Sequence, residues 1–90
     1  MLKVVLKWFE DKFPDFKGNE IYLSGESYAG IYIPYLLDTI HDHNQKNKED
    51  DKVFKPNLKG MAVINGMTNY EFDTYPSMVE TAYSHFLIDE

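Results

Sequence analysis

The chain has 90 residues, which is enough for one small domain or for part of a larger one. Its net charge of −6 argues against nucleic acid as a partner, because no basic stripe is present to meet phosphates. The lack of cysteine excludes disulfides and thiolate metal sites, and no apolar run approaches the roughly 20 residues that a membrane span needs.

The first segment is predicted to be an amphipathic helix that ends before Pro14. Its apolar residues recur at helical spacing, and most of its charged residues fall on other faces. A proline disfavours the α region for the residue before it, so the helix is not expected to continue past Phe13. Residues 1–8 lack an uninterrupted apolar stretch and a small-residue cleavage site, so no signal peptide is expected in this chain.

Two short apolar runs, residues 21–23 and 61–64, predict strands. Each run stops at turn residues, a pattern typical of strands that are buried on both faces in a parallel sheet. Between them, apolar residues recur at helical spacing from Gly30 to Ile40, which predicts a helix. Residues 44–57 are polar and are predicted to form a surface loop.

A last helix is predicted to begin at Ser77. The stretch Ser77-Met78-Val79-Glu80 has the spacing of a capping box, in which the serine and the glutamate satisfy helix N-terminal donors. The apolar residues of this helix are expected to face inward, namely Met78, Val79, Ala82 and Phe86.

These elements predict an α/β fold with a parallel strand–helix–strand unit and flanking helices. Two parallel strands alone leave both sheet edges open, each a row of unpaired backbone groups. Aromatic residues make up 16% of the chain, more ring area than a short chain readily buries. We therefore expect residues 1–90 to be a fragment of a single larger domain, with the rest of the sheet outside this chain.

Ser27 is the candidate nucleophile. It lies in the string Gly25-Glu26-Ser27-Tyr28-Ala29-Gly30, after the first strand and before the helix. A sharp strand-to-helix turn needs small residues two before and two after the serine; Gly25 and Ala29 meet this need, although Gly-x-Ser-x-Gly is not strictly matched. Such a turn presents the hydroxyl beside the next N–H, that of Tyr28. On spacing alone, a plain glycine-rich turn with an incidental serine remains an alternative.

The longer strings resemble the serine carboxypeptidases, a branch of the α/β-hydrolases. The hexapeptide "GESYAG" resembles their nucleophile segment, and "FPDFKGNEIYLSGESYAG" resembles the lead-in, strand and turn. Further along, "PNLKGMAVINGMT" and "AYSHFLIDE" resemble later segments of the family in the same order. The resemblance implies a partial α/β-hydrolase fold. Two departures are visible: Gly-Asn-Gly reads Ile64-Asn65-Gly66, and Thr-Asp-Pro reads Thr68-Asn69-Tyr70.

The resemblance also implies roles for four residues. Ser27 would attack a peptide carbonyl, and Tyr28 would give one oxyanion N–H and border the pocket for the penultimate residue. Glu26 would hydrogen-bond the terminal carboxylate of the peptide, and Met67 stands where the family has a pocket leucine. No metal and no cofactor are implied, and the partner is the C-terminus of a peptide. The family's catalytic Asp and His and its glycine-rich oxyanion segment do not occur among these 90 residues.

The role of Glu26 implies a pH dependence. Two carboxyls do not share a dry site as two anions, so one proton must lie between them, and binding of peptide C-termini is expected to weaken as pH rises. The alternative is that Glu26 is simply an acid favoured by the helix N-terminus.

The three histidines are not expected to serve Ser27. His41 and His43 fall at least three helical turns away, roughly 18–20 Å along the axis, so they are expected to be a solvated helix end. His85 is expected to have a helix-end or packing role. The acidic run Glu49-Asp50-Asp51 is expected to be a solvated loop.

The resemblance thus implies a serine-type carboxypeptidase that works through an acyl-enzyme on Ser27, and this chain is expected to be inactive by itself. Three alternatives are open: a related acyltransferase that passes the acyl group to an alcohol, a truncated non-catalytic binding protein, and an unrelated α/β module. The resemblance implies a secretory, lysosomal, vacuolar or extracellular location.

Overall fold

The computed structural model describes residues 1–89; Glu90, the last residue of the string "AYSHFLIDE", lies outside the described residues. Six helices and strands form the framework. They are α1 (Leu2–Lys7), β1 (Ile21–Glu26), α2 (Ala29–Lys46), β2 (Leu58–Ile64), α3 (Tyr70–Asp73) and α4 (Tyr75–Ser84). A π-helical segment, Trp8–Lys12, continues α1, and a 3₁₀ turn follows at Pro14–Phe16.

The first helical segment ends before Pro14, as predicted. Its last turn is wide, because the N–H of Phe13 donates to the carbonyl of Trp8, five residues back, at 2.9 Å. Phe13 then leaves the helical region with φ −136° and ψ 62°, as expected for a residue before a proline.

The sheet has two parallel strands, with α2 as the connection between them. Leu23 lies opposite Met61 and Gly25 opposite Val63. The predicted strand–helix–strand unit is confirmed, and both strands are longer than the apolar runs suggested, since β1 continues to Glu26 and β2 begins at Leu58.

The prediction that both faces of the strands are buried is wrong for this chain. Burial alternates along β1: Ile21, Leu23 and Gly25 are half-buried toward α2, and the residues between them are exposed. Tyr22 is 64% exposed and Ile64 is 60% exposed. Only one layer of helix covers the sheet, so the opposite face has nothing to pack against among the described residues.

The core lies between the covered face of the sheet, α2 and the first helical segment. Its buried apolar residues are Phe9, Ala29, Ile33 and Ile40. The chain exposes 7262 Å², against about 5,500 Å² for a folded monomer of its mass. Its radius of gyration is 18.8 Å, against about 12 Å for a compact chain of this length.

The C-terminal arm, defined here as residues 70–87, differs from the prediction. The short helix α3 was not predicted, and α4 begins at Tyr75, two residues before Ser77. The Ser77 hydroxyl donates to the Asp73 carbonyl at 2.7 Å instead of capping the helix. Pro76 suits the first turn of a helix, which explains the earlier start.

The apolar side of α4 is not buried in this chain. Met78, Val79 and Phe86 are 66%, 57% and 94% exposed. Among residues 1–89, α4 packs against α3 and against no other helix or strand. The arm ends in a left-handed turn at Phe86, φ 57°, with the Leu87 N–H donating to the Ala82 carbonyl at 2.9 Å.

The C-terminal part of the polar loop between α2 and β2 is hydrogen-bonded to the last turn of α2. The Nδ2 of Asn44 donates to the Pro56 carbonyl at 2.8 Å, and Nε2 of His43 lies 3.0 Å from the Phe54 carbonyl. His43 lies in the last turn of α2, as predicted, but it is half-buried and not fully solvated, whereas His41 is exposed. In the described part of the chain, no helix is long and apolar enough to cross a membrane.

Candidate active site

Ser27 lies on a sharp turn between β1 and α2. β1 ends at Glu26, Ser27 has φ 60°, and α2 begins at Ala29. A non-glycine residue in this left-handed region carries about 1–3 kcal/mol of backbone strain. Ser27 is exposed, and within residues 1–89 its hydroxyl makes no hydrogen bond, so no base contacts it there.

The small residues around Ser27 have a steric reason. A Cβ added at Gly25 would lie 2.4 Å from the Cβ of Ala29 and 3.1 Å from Cγ1 of Ile33. The strand before the serine and the helix after it therefore pass too close for two ordinary side chains. This approach explains why positions two before and two after Ser27 are glycine and alanine.

The loop after β2 is tied to the backbone of Ser27. The Ser27 N–H donates to the Ile64 carbonyl at 3.1 Å, and the Ser27 carbonyl accepts from the N–H of Met67 at 2.9 Å. A Cβ at Gly30 would meet the Met67 carbonyl oxygen at 2.3 Å, so only glycine lets this loop lie on the start of α2. Met67, predicted from the family pattern, is thus next to Ser27.

Asp73 fixes the same loop from its other side. Its Oδ2 accepts hydrogen bonds from the Thr68 N–H at 2.6 Å, the Thr68 hydroxyl at 2.9 Å and the Asn69 N–H at 2.9 Å. These bonds, first that from Asn69 and then those from Thr68, lower the pKa of Asp73. The loop that carries Met67 is therefore held at both ends.

Tyr28 and Glu26 flank the serine. Tyr28 has φ −62° and ψ −11° and immediately precedes α2, so its N–H has no intrahelical acceptor. This is the group expected to meet an oxyanion. Glu26 is exposed and lies at the carboxyl end of β1, on the face away from α2. The structure thus brings Glu26, Ser27, Tyr28 and Met67 to one end of the sheet.

The side chain of Tyr28 contacts two further tyrosines. Its ring centroid lies 6.0 Å from that of Tyr32 and 6.4 Å from that of Tyr70, the latter pair edge to face. The neighbouring Tyr28 hydroxyl raises the pKa of Tyr70, because a phenolate is disfavoured beside it.

The other titratable residues singled out in the sequence make no hydrogen bond to Ser27. His85 ends α4, where its Nδ1 lies 2.9 Å from the Thr81 carbonyl, consistent with the predicted helix-end role. Asp50 accepts from the backbone of Lys52 within the exposed acidic loop. Across residues 1–89, no three His, Cys, Asp or Glu side chains are grouped so that they could hold a metal ion.

Sequence reasoning missed Tyr70, Asp73 and the second left-handed residue, Asn65 with φ 44°. One signal was available: Asn69 precedes α3, and its side chain accepts from the Glu71 N–H at 2.7 Å, which is the usual arrangement at a helix start. The bonds that Asp73 accepts from residues 68 and 69 have no comparable sequence signal.

Comparison with known proteins confirms the resemblance. The sequence profile of the family described as serine carboxypeptidase matches residues 1–90. The chain is 42% identical over 90 residues to serine carboxypeptidase-like 41 of Arabidopsis thaliana, covering all of this chain and 18% of that protein. It is 40% identical over 84 residues to pheromone-processing carboxypeptidase kex1 of Neosartorya fischeri, covering 93% of this chain and 13% of that protein.

The chain spans less than a fifth of the length of these relatives, as it also does for serine carboxypeptidase-like 35 of Arabidopsis thaliana, where it covers 18%. No solved structure is significantly similar to the chain.

Proposed function

This chain belongs to the serine carboxypeptidase family, and on that premise we propose that it is the nucleophile-bearing part of a serine-type carboxypeptidase. The observation that carries the proposal is the left-handed Ser27 between a parallel strand and a helix. A hydroxyl on such a turn is exposed at the carboxyl end of the sheet, where α/β enzymes bind their ligands.

The proposed reaction is acyl transfer from a peptide to water. The Ser27 Oγ attacks the last peptide carbonyl, and its proton passes through a general base to the leaving nitrogen as the C–N bond breaks. Oγ is then esterified to the acyl group, and the C-terminal amino acid leaves with a free amine. Water attacks the ester, restores the hydroxyl and gives the shortened peptide.

The Tyr28 N–H, at the start of α2, is the proposed donor to the oxyanion that forms during each attack. The helix N-terminus adds favourable partial charge at the same place. Glu26 is the proposed recognition group for the substrate's terminal carboxylate, and Met67 borders the site through the loop that its own N–H ties to Ser27.

The general base is proposed to come from outside residues 1–89, because no base contacts Ser27 within them. The uncovered sheet face and the excess surface favour the same conclusion, since further chain of an α/β-hydrolase domain would cover both. We accordingly propose that turnover needs the longer protein, in a secretory, vacuolar or extracellular setting.

The test is release of C-terminal amino acids by a full-length protein that carries this segment. Ser27→Ala is expected to lower kcat by at least about 10⁴-fold. The matched control is Ser24→Ala, because Ser24 lies within β1, three residues before the turn. Retention of activity by Ser27→Ala contradicts the proposal, and transfer to an added alcohol in preference to water identifies an acyltransferase instead.

The role of Glu26 has its own readout. Binding of a blocked peptide with a free C-terminus to the Ser27→Ala protein is expected to weaken from mildly acidic to neutral pH. The same peptide as its C-terminal amide is the control. Flat affinity for the free acid across that range would exclude Glu26 as the carboxylate-recognition group.

A further inference from the structure

Three half-exposed tyrosine rings lie together beside the Ser27 turn. Tyr28, Tyr32 and Tyr70, called here the tyrosine cluster, are 44%, 48% and 55% exposed. Tyr28 is the central ring, with centroids 6.0 Å from Tyr32 and 6.4 Å from Tyr70. Aromatic rings at these separations attract one another, and a further ring can join them at an edge or a face.

The position of Tyr70 in this cluster is fixed by its neighbours in the chain. On its N-terminal side, Asn69 donates its N–H to Asp73 and accepts from Glu71 through its side chain. Met67 lies two residues before Asn69, and its N–H donates to the Ser27 carbonyl at 2.9 Å. A short, hydrogen-bonded path therefore sets Tyr70 relative to the candidate nucleophile before any substrate binds.

The backbone at Tyr70 does not require a tyrosine. The family pattern Thr-Asp-Pro reads Thr68-Asn69-Tyr70 here, so tyrosine stands in the proline position. Asn69 has φ −151° and ψ 126°, which is the extended conformation that a residue before proline adopts. Position 70 is the first of α3, where proline is well tolerated. The ring is also not buried, so packing within this chain does not explain it.

We propose that Tyr70 is a specificity-determining residue that, with Tyr28, receives an aromatic group on the acyl side of the substrate. This inference rests on the proposed acyl transfer at Ser27. The Tyr28 N–H is the proposed oxyanion donor, which makes Tyr28 a neighbour of the carbonyl under attack. The acyl group attached to that carbonyl is the part of the substrate within reach of the cluster.

An aromatic acyl group can come from two sources, a peptide whose penultimate residue is aromatic or an ester of an aromatic acid. The two share the ring and differ in the leaving group. The test measures kcat/KM of the full-length protein for blocked Phe-Leu against blocked Ala-Leu, and for a cinnamoyl ester against a butanoyl ester.

Tyr70→Pro is the test variant, because it keeps the start of α3 and deletes the ring. The aromatic preference is the ratio of kcat/KM for the aromatic substrate to that for the aliphatic substrate of each pair. Loss of one aromatic contact is expected to lower this ratio about 3- to 10-fold in at least one of the two pairs. Tyr70→Phe retains the ring and is expected to keep the preference. Tyr83→Ala, which removes an exposed ring from α4, is the matched control and is expected to leave the aromatic preference unchanged.

If the aromatic preference of Tyr70→Pro stays within twofold of the wild-type value for both substrate pairs, the inference about Tyr70 is overturned. The proposed acyl transfer at Ser27 is not affected by that result. A wild-type protein inactive on all four substrates overturns both. Binding of blocked Phe-Leu against blocked Ala-Leu to the Ser27→Ala protein separates recognition from chemistry. The selectivity is expected to persist there and to fall with Tyr70→Pro; equal binding of the two ligands counts against the role of Tyr70.

Discussion

The Ser27 turn and the C-terminal arm contrast within one short chain. Around Ser27, strand, helix and loop approach so closely that added methyl groups at Gly25 and Gly30 would overlap neighbouring atoms. Most of the large apolar side chains of the arm are, by contrast, more than half exposed. The turn is thus completed by contacts within the chain, whereas α4 of the arm packs, within residues 1–89, against α3 alone.

The largest difference in the free energy of unfolding is expected between a substitution in the core and one in the arm. Ile40 is fully buried, so Ile40→Ala should cost about 2–5 kcal/mol of the free energy of unfolding. Val79→Ala, at a position 57% exposed on α4, should cost less than about 0.5 kcal/mol. Urea unfolding measures both.

The same pair of variants in a full-length protein sharpens the comparison. If further chain covers the arm, the cost of Val79→Ala should rise toward that of a buried residue, while the cost of Ile40→Ala stays the same. An unchanged, small cost of Val79→Ala in the longer protein would show that the arm stays exposed.

A smaller loss of stability is expected when a methyl group is added at Gly30, at the start of α2. Gly30→Ala should destabilise the chain by about 1–3 kcal/mol, because the Met67 carbonyl must move away from the new Cβ. Gly18→Ala is the matched control, since nothing lies within 4 Å of a Cβ there. Equal unfolding midpoints for the two variants would mean that the loop is not pressed against α2.

The strain at Ser27 predicts a stabilising substitution. Ser27→Gly should raise the free energy of unfolding by about 1 kcal/mol relative to Ser27→Ala, because glycine adopts φ 60° at little cost. Calorimetry on the two variants measures the difference. A lower stability of Ser27→Gly would argue against a left-handed residue 27.

The smallest effect is expected at the exposed carboxylate of Asp73. Its folded pKa is lowered by the bonds from Asn69 and Thr68, so its stabilisation is complete above the unfolded value of about 3.9 and is lost as pH falls through the folded pKa. The amide resonances of Thr68 and Asn69 should report a midpoint below that value. Asp73→Asn should abolish this titration; a midpoint of 4 or higher would mean that the bonds are absent in solution.

The comparison also explains what the sequence could predict. Gly25, Ala29 and the flanking apolar runs are local signals, and they were sufficient to place the strand, the turn at Ser27 and the helix. The bonds of Asp73 to the loop and of His43 to Phe54 join segments through side-chain geometry that no periodicity encodes. Burial of both sheet faces was wrongly predicted because apolar residues show a need for cover without showing where that cover lies.

The most direct test of the account is to locate the nucleophile chemically. A fluorophosphonate probe is applied to the folded full-length protein, and the labelled residue is identified by mass spectrometry of its peptides. The account predicts an adduct on Ser27 and none on Ser24, with labelling lost on denaturation and slow for the 90-residue chain alone. An adduct on another serine, or peptide hydrolysis that proceeds without any adduct at Ser27, would contradict it.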